Sequence, residues 1–108
     1  MAVQAFVQVA PVGNGTNNVI YGATLGASAN SPVINTGNDM IIRIVASNAI
    51  TVRFGTAANL ASNPAGATDI YVPANLPWVV DMGHQNNAIS IFSISATTIV
   101  TVSQVVKN

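Results

Sequence analysis

Apolar residues fall on alternate positions through much of this chain, the period of a β-strand with one buried face. From Ala2 to Ala10, Val3, Ala5, Val7 and Val9 share one face while Gln4, Phe6 and Gln8 share the other, and the pattern stops at Pro11. Asn14-Gly15 is a hairpin-turn candidate, because both residues tolerate positive φ. Val19-Ile20-Tyr21 then predicts a second short strand ending near Gly22. Small residues without a period, from Ala23 to Ser31, predict an irregular connection, and Pro32-Val33-Ile34 predicts a brief edge strand before a turn at Thr36-Gly37-Asn38.

The strongest pair of runs follows. Met40, Ile42, Ile44 and Ala46 alternate with Ile41, Arg43 and Val45, so this strand is expected to be buried on both faces near its middle. After Ser47-Asn48, Ile50, Val52 and Phe54 alternate with Thr51 and Arg53. Two strongly periodic runs separated by a short turn predict a hairpin, which would set Arg43 and Arg53 near one another on one sheet face. Between Gly55 and Gly66 the alanines support one helical turn, stopped by Asn63-Pro64. Ile70-Tyr71-Val72 and Trp78-Val79-Val80 form two further short runs, and Pro73 and Pro77, lacking amide hydrogens, assign them to an edge or corner. Asn87 to Ser95 and Thr97 to Val106 are rich in β-branched residues and predict two neighbouring strands joined near Ala96. The reading is one all-β domain over residues 1–108: an antiparallel β-sandwich, jelly-roll-like, or a small β-barrel, of about eight short strands.

Composition changes the picture in one respect. Half of the residues are hydrophobic and only 6% are charged, with three Lys+Arg balancing three Asp+Glu, against about 25% charged in an ordinary soluble domain. Asn, Ser, Thr and Ala stand where charge is usual. Two arginines and one lysine are too few for nucleic acid, whose phosphates are held by many cations. The longest apolar stretches are only a few residues, short of the roughly 20 of a spanning helix. A barrel of eight spanning strands, each about 9 to 11 residues, would consume nearly the whole chain. No membrane role is expected, and the amino-terminal residues do not read as a secretory signal. Thin charge on an apolar surface favours association, so a homo-oligomer, expected to be a trimer, or docking on a larger assembly is the reading.

The candidate chemistry is sparse. His84 is the only histidine and cysteine is absent. A metal reading would pair His84 with Asp81, but two ligands make no zinc or iron site, and a turn role, with the ring bonded to Gln85, Asn86 or a backbone carbonyl, is the expectation. None of the eight serines lies in a Gly-x-Ser-x-Gly context. Asp39, Asp69 and Asp81 sit at strand margins, where Asp usually satisfies turn amides. Gly13-Asn14-Gly15 lacks the context of a phosphate or dinucleotide loop, and the Asn14-Gly15-Thr16 glycosylation match is a three-residue pattern. The reading is no catalytic residue, no metal and no cofactor. Interface candidates are Phe6, Tyr71 and Trp78 as apolar anchors and Arg43 and Arg53 as charges suited to bidentate pairing with a carboxylate. Tyr71, Trp78 and Asn75 also suggest a carbohydrate platform, an aromatic face beside an amide.

Phe54-Gly55-Thr56, then Ile70-Tyr71-Val72-Pro73-Ala74, Trp78, and Ile89-Ser90-Ile91 through Val102, in that order, resemble small β-rich proteins encoded in the structural gene regions of tailed bacteriophages. The resemblance covers residues 50 to 106, and departs from that pattern at Asn75-Leu76-Pro77 and at His84 to Asn87. It implies a virion component assembled in the host cytoplasm: a capsid cement or decoration protein, or a head or tail accessory protein, whose partner is the major capsid protein or another virion protein. The alternative function is a carbohydrate-binding or adhesive β-sandwich module.

Overall fold

The computed structural model describes residues 19–107. Eight strands and one short helix follow in the order β1 (Val19–Leu25), β2 (Ile34–Asn35), β3 (Met40–Ala46), β4 (Ile50–Gly55), α1 (Ala57–Ser62), β5 (Ile70–Val72), β6 (Trp78–Asp81), β7 (Ala88–Ser93) and β8 (Thr98–Lys107). They form two four-stranded sheets, ordered β1-β8-β3-β6 and β2-β7-β4-β5. All pairings are antiparallel. Each strand pairs with the one equally far from the other end of the series: β1 with β8, β2 with β7, β3 with β6, β4 with β5. A long antiparallel ribbon rolled over on itself also brings β3 against β8 and β4 against β7, and this is the jelly-roll order. The sandwich expectation holds, and the barrel alternative does not.

The core lies between the sheets. Ile42, Ile44, Val100 and Val102 from one sheet meet Ile50, Val52, Ile89 and Ile91 from the other, all fully buried. Their alternation with Ile41, Arg43 and Val45 on β3 is the period-two pattern turned into two faces. On the β5–β6 side, the Phe54 and Trp78 rings close the gap between sheets edge to face, 5.8 Å between centroids at 66°.

Several sequence expectations need correction. Β3 and β4 do not form a hairpin: the turn between them carries the chain from one sheet to the other, because a short turn serves equally well for either path. The turn is tied to a second crossover instead, with the Ser47 amide donating to the Ile99 carbonyl and the Ile99 amide to Ser47 Oγ, both 2.9 Å. The strands joined near Ala96, β7 and β8, likewise lie in opposite sheets. Gly22 does not end β1, which continues to Leu25 because β8 offers a long partner, from Tyr21 opposite Val102 to Leu25 opposite Thr98. Tertiary pairing outweighs the weak strand preference of small residues there.

Other expectations stand. Β2 is a two-residue edge strand, and β5 and β6 are the edges beside Pro73 and Pro77. Helix α1 is capped by Thr56, whose Oγ1 accepts from the Asn59 amide at 3.3 Å, and ends at Asn63 before Pro64. Its Leu60 is buried above Gly55, where an added Cβ would lie 3.4 Å from Leu60 Cγ. The expected strand from Ala2 to Ala10, the Asn14-Gly15 turn and the Asn14-Gly15-Thr16 match lie outside the described residues.

Candidate functional site

The two outer faces of the sandwich differ. On the β2-β7-β4-β5 sheet, the outward side chains include Thr51, Arg53 and Ser90, and all three bond to the connection between β4 and β5. Thr51 Oγ1 donates to the Gly66 carbonyl at 2.7 Å, and Ser90 Oγ accepts from the Ala65 amide at 2.9 Å. Arg53 donates from Nε to Asp69 Oδ1 at 3.0 Å and from a terminal nitrogen to the Asn63 carbonyl at 3.1 Å, and its other terminal nitrogen lies 2.9 Å from Asp69 Oδ2. Asn30 reaches the same connection, its Nδ2 donating to the Ala65 carbonyl at 2.7 Å. This face is therefore covered by residues 56–69, and its buried hydroxyls are part of the cover's attachment.

Asp69 also accepts from the Gly66 amide at 2.7 Å. That backbone bond, together with the Arg53 guanidinium, holds its carboxyl below the usual value against the opposing effect of burial. Asp81 Oδ1 similarly accepts from the Gly83 amide at 3.0 Å. Both carboxylates satisfy turn amides, as their places at strand margins suggested.

The expected meeting of Arg43 and Arg53 on one sheet face does not occur. They are on β3 and β4, in different sheets, for the same reason that the predicted hairpin fails. Arg43 points outward between Val79 of β6 and Ser103 of β8, and has no carboxylate partner among the described residues. Arg53 takes its bidentate carboxylate from Asp69 within the chain.

Apolar side chains that stay exposed lie mainly along one margin. Among the described residues, β5 and β6 are edge strands of the two sheets, on the same side of the sandwich and joined by residues 73–77. Tyr71 is 62% exposed, Ile70 and Leu76 48% each, and Val79 39%. Trp78 is half-buried against Phe54, so its ring serves the core as well as this margin. On the far side of the β1-β8-β3-β6 sheet, Val19 is exposed on the edge strand β1 and Ile99 on β8, one strand inward from it. Of the sequence-derived interface candidates, the structure brings Tyr71 and Trp78 to the same margin, places Arg43 one strand inward from it, and assigns Arg53 to the covered face. Phe6 lies outside the described residues. Ile70, Leu76 and Val79 were missed as surface residues, since alternation alone does not reveal an edge where a nominally inward residue is left uncovered.

At one end of the sandwich the turn before β3 meets the loop between β6 and β7. The Asp39 amide donates to the Gly83 carbonyl at 2.8 Å, while the Thr36 and Gly37 amides donate to the Asn87 carbonyl at 3.0 Å. His84 Nδ1 lies 3.3 Å from Asp39 Oδ2 with its side chain 82% exposed. The carboxylate beside His84 is therefore Asp39, 45 residues away in sequence, rather than one of the neighbours expected from the loop itself. No group of three potential metal-ligating His, Cys, Asp or Glu residues occurs among the described residues.

Comparison with protein-family models, curated proteins and solved structures finds no match to this chain.

Proposed function

We propose that this chain is a structural virion protein, a capsid cement or decoration protein that stabilises a phage shell through apolar and backbone contacts. The observation that carries this reading is the placement of exposed apolar side chains at two separate places, Ile70, Tyr71, Leu76 and Val79 along the β5–β6 margin, and Val19 on the edge strand β1 with Ile99 one strand inward on β8. Two separated sets of exposed apolar side chains suit a protein that joins its own copies and also docks on a larger surface. The resemblance over residues 50–106 and the jelly-roll order, an architecture used by viral capsid domains as well as by lectins and cupins, support the same reading. The order alone assigns no function. In this reading the chain is non-enzymatic and needs no cofactor, and its partner is the major capsid protein or another virion protein.

The test is co-sedimentation of the purified chain with assembled phage shells lacking it. Saturable binding at a fixed copy number, with a rise in the shell's melting temperature, is the expected result. Failure to bind any shell or virion component overturns it. A second reading, a carbohydrate-binding module, is favoured by the exposure of Tyr71 close in sequence to Asn75, which holds a left-handed backbone at φ 59°. Saturable glycan binding lost in Tyr71→Ala would select that reading.

A further inference from the structure

We propose that Arg43 is an anchor for a partner protein, taking one carboxylate side chain of that partner inside an apolar ring on the outer face of the β1-β8-β3-β6 sheet. The inference deepens the cement reading and rests on it for the partner's identity, while the site itself is built from this chain alone. Arg43 stands in the middle of β3, between Val79 of β6 and Ser103 of β8. It is half-buried, yet it makes no hydrogen bond or ion pair among the described residues. An arginine keeps its charge in a folded protein and carries five donors. Donors partly withdrawn from water gain most from an ionised acceptor. Arg53 supplies the contrast, since on the other sheet its guanidinium already holds both oxygens of Asp69.

The surroundings of Arg43 have the anatomy of a protein contact. Ile41 and Val45 lie two residues to either side on the same face, and the exposed Val79 lies across on β6. Apolar side chains around a central arginine keep water from the bond it makes. Ser103, directly opposite on β8, also has no side-chain partner among the described residues. No buried side-chain oxygen among those residues lacks a partner, so this hydroxyl stays open on the face it shares with Arg43. It can donate to the same carboxylate.

The chain's own acidic side chains point to a foreign partner. The sequence has three of them, and each is engaged within the chain. Asp69 is held by Arg53, Asp39 lies 3.3 Å from His84 Nδ1, and Asp81 has the Gly83 amide at 3.0 Å and a further interaction. A second copy would have to withdraw one of these from a partner it already has. A different protein, presenting an aspartate or glutamate among apolar side chains, supplies the charge that this face lacks.

The first measurement needs no shell. N-acetylglutamic acid α-amide, whose only charge is its side-chain carboxylate, is titrated into the full chain while the Nε–H resonances of Arg43 and Arg53 are followed by NMR. A saturable shift at Arg43 is expected, with a dissociation constant below about 100 mM, the scale of one charge-assisted bond. Arg53, already paired, does not respond, and the neutral glutamine analogue shifts neither. No shift at Arg43, or equal shifts at both arginines, overturns the proposal. The second measurement is binding to assembled phage shells lacking the chain. Arg43→Gln weakens it by about tenfold or more with unchanged circular dichroism. If that variant fails to fold, Arg43→Lys, which keeps the charge and the stem but not the fork, weakens it by about threefold or more. Full-strength binding by a folded variant overturns the anchor and leaves the cement reading standing. A native chain that binds no shell overturns the cement reading, and the titration then decides the anchor by itself. A mass of twice 11.0 kDa in sedimentation equilibrium of the chain alone, returned to the monomer by either variant, overturns the foreign partner in favour of a second copy.

Discussion

The Trp78 indole meets the Phe54 ring edge-on, 5.8 Å between centroids, and so joins β6 of one sheet to β4 of the other. No hydrogen bond could make that link, since the sheets face each other through side chains alone. A double-mutant cycle with Phe54→Leu and Trp78→Leu should show a coupling of about 0.5–1.5 kcal/mol. Chemical denaturation followed by circular dichroism measures it, because the sole tryptophan is lost in two of the variants. Additive effects would mean that the rings merely fill space.

The Arg53–Asp69 pair makes stability depend on acid. The unfolded carboxyl titrates near the ordinary 3.8, whereas the folded one is lower. The stabilisation is therefore complete above the unfolded value and is lost as pH falls through it toward the folded value. Asp69→Asn should cost about 1 kcal/mol at pH 7, a modest figure because Arg53 is partly exposed, and should flatten this part of the acid limb. Thermal melts from pH 6 to pH 2.5 test the sign; an unchanged acid limb in Asp69→Asn refutes the assignment.

Ser90→Ala removes the acceptor for the Ala65 amide and leaves that donor without its partner under the covering connection. A loss of about 1–3 kcal/mol follows for a buried group so orphaned. Amide hydrogen exchange should accelerate at Ala65 and Gly66 before it does in β8. Uniform acceleration would instead indicate that the connection is not a separate layer.

Two glycines separate backbone strain from crowding. Gly83 has φ 74° with nothing near an added Cβ, so Gly83→Ala should cost about 1–2 kcal/mol through conformation alone. At Gly26 the space is equally open and φ is not left-handed. Gly26→Ala should be neutral or stabilising by up to about 1 kcal/mol through the unfolded chain. Urea melts of both variants provide the comparison, and an equal cost at the two sites would contradict it.

His84→Ala should leave stability within about 0.5 kcal/mol, the usual range for an exposed position, since the Asp39 contact is largely in water. A denaturant melt checks this, with elemental analysis of the native protein alongside. Stoichiometric zinc or iron together with a loss of several kcal/mol would show that His84 has a role the turn geometry does not supply.

Much of the candidate margin was visible before the fold. Tyr71 and Trp78 stood out as aromatics in a chain with few, and the two flanking prolines assigned their strands to an edge. Leu76 and Val79 did not stand out, because an apolar residue in a strand run looks like core until the neighbouring strand is known. Arg43 and Arg53 were misplaced relative to one another, and the Asp39–His84 approach could not be found by spacing, since it depends on two turns meeting at one end of the sandwich.

The sequence by itself determined where strands lie and which face of the central ones is buried: alternation at Met40 to Ala46 is a local property, and the hydrophobic effect acts on it directly. It also determined the short helix, through alanines that support one turn and Asn63-Pro64 that stop it. Only the tertiary structure decided which strands are neighbours. The turn at Ser47-Asn48 can return a chain within a sheet or send it across the core, and both choices bury Ile44 and Ile50 equally. The choice comes from the whole roll, in which β8 fills the space beside β3 and β7 the space beside β4. Backbone pairing uses the same donors and acceptors in every strand, so partner identity is a property of the packed sheets rather than of either segment alone.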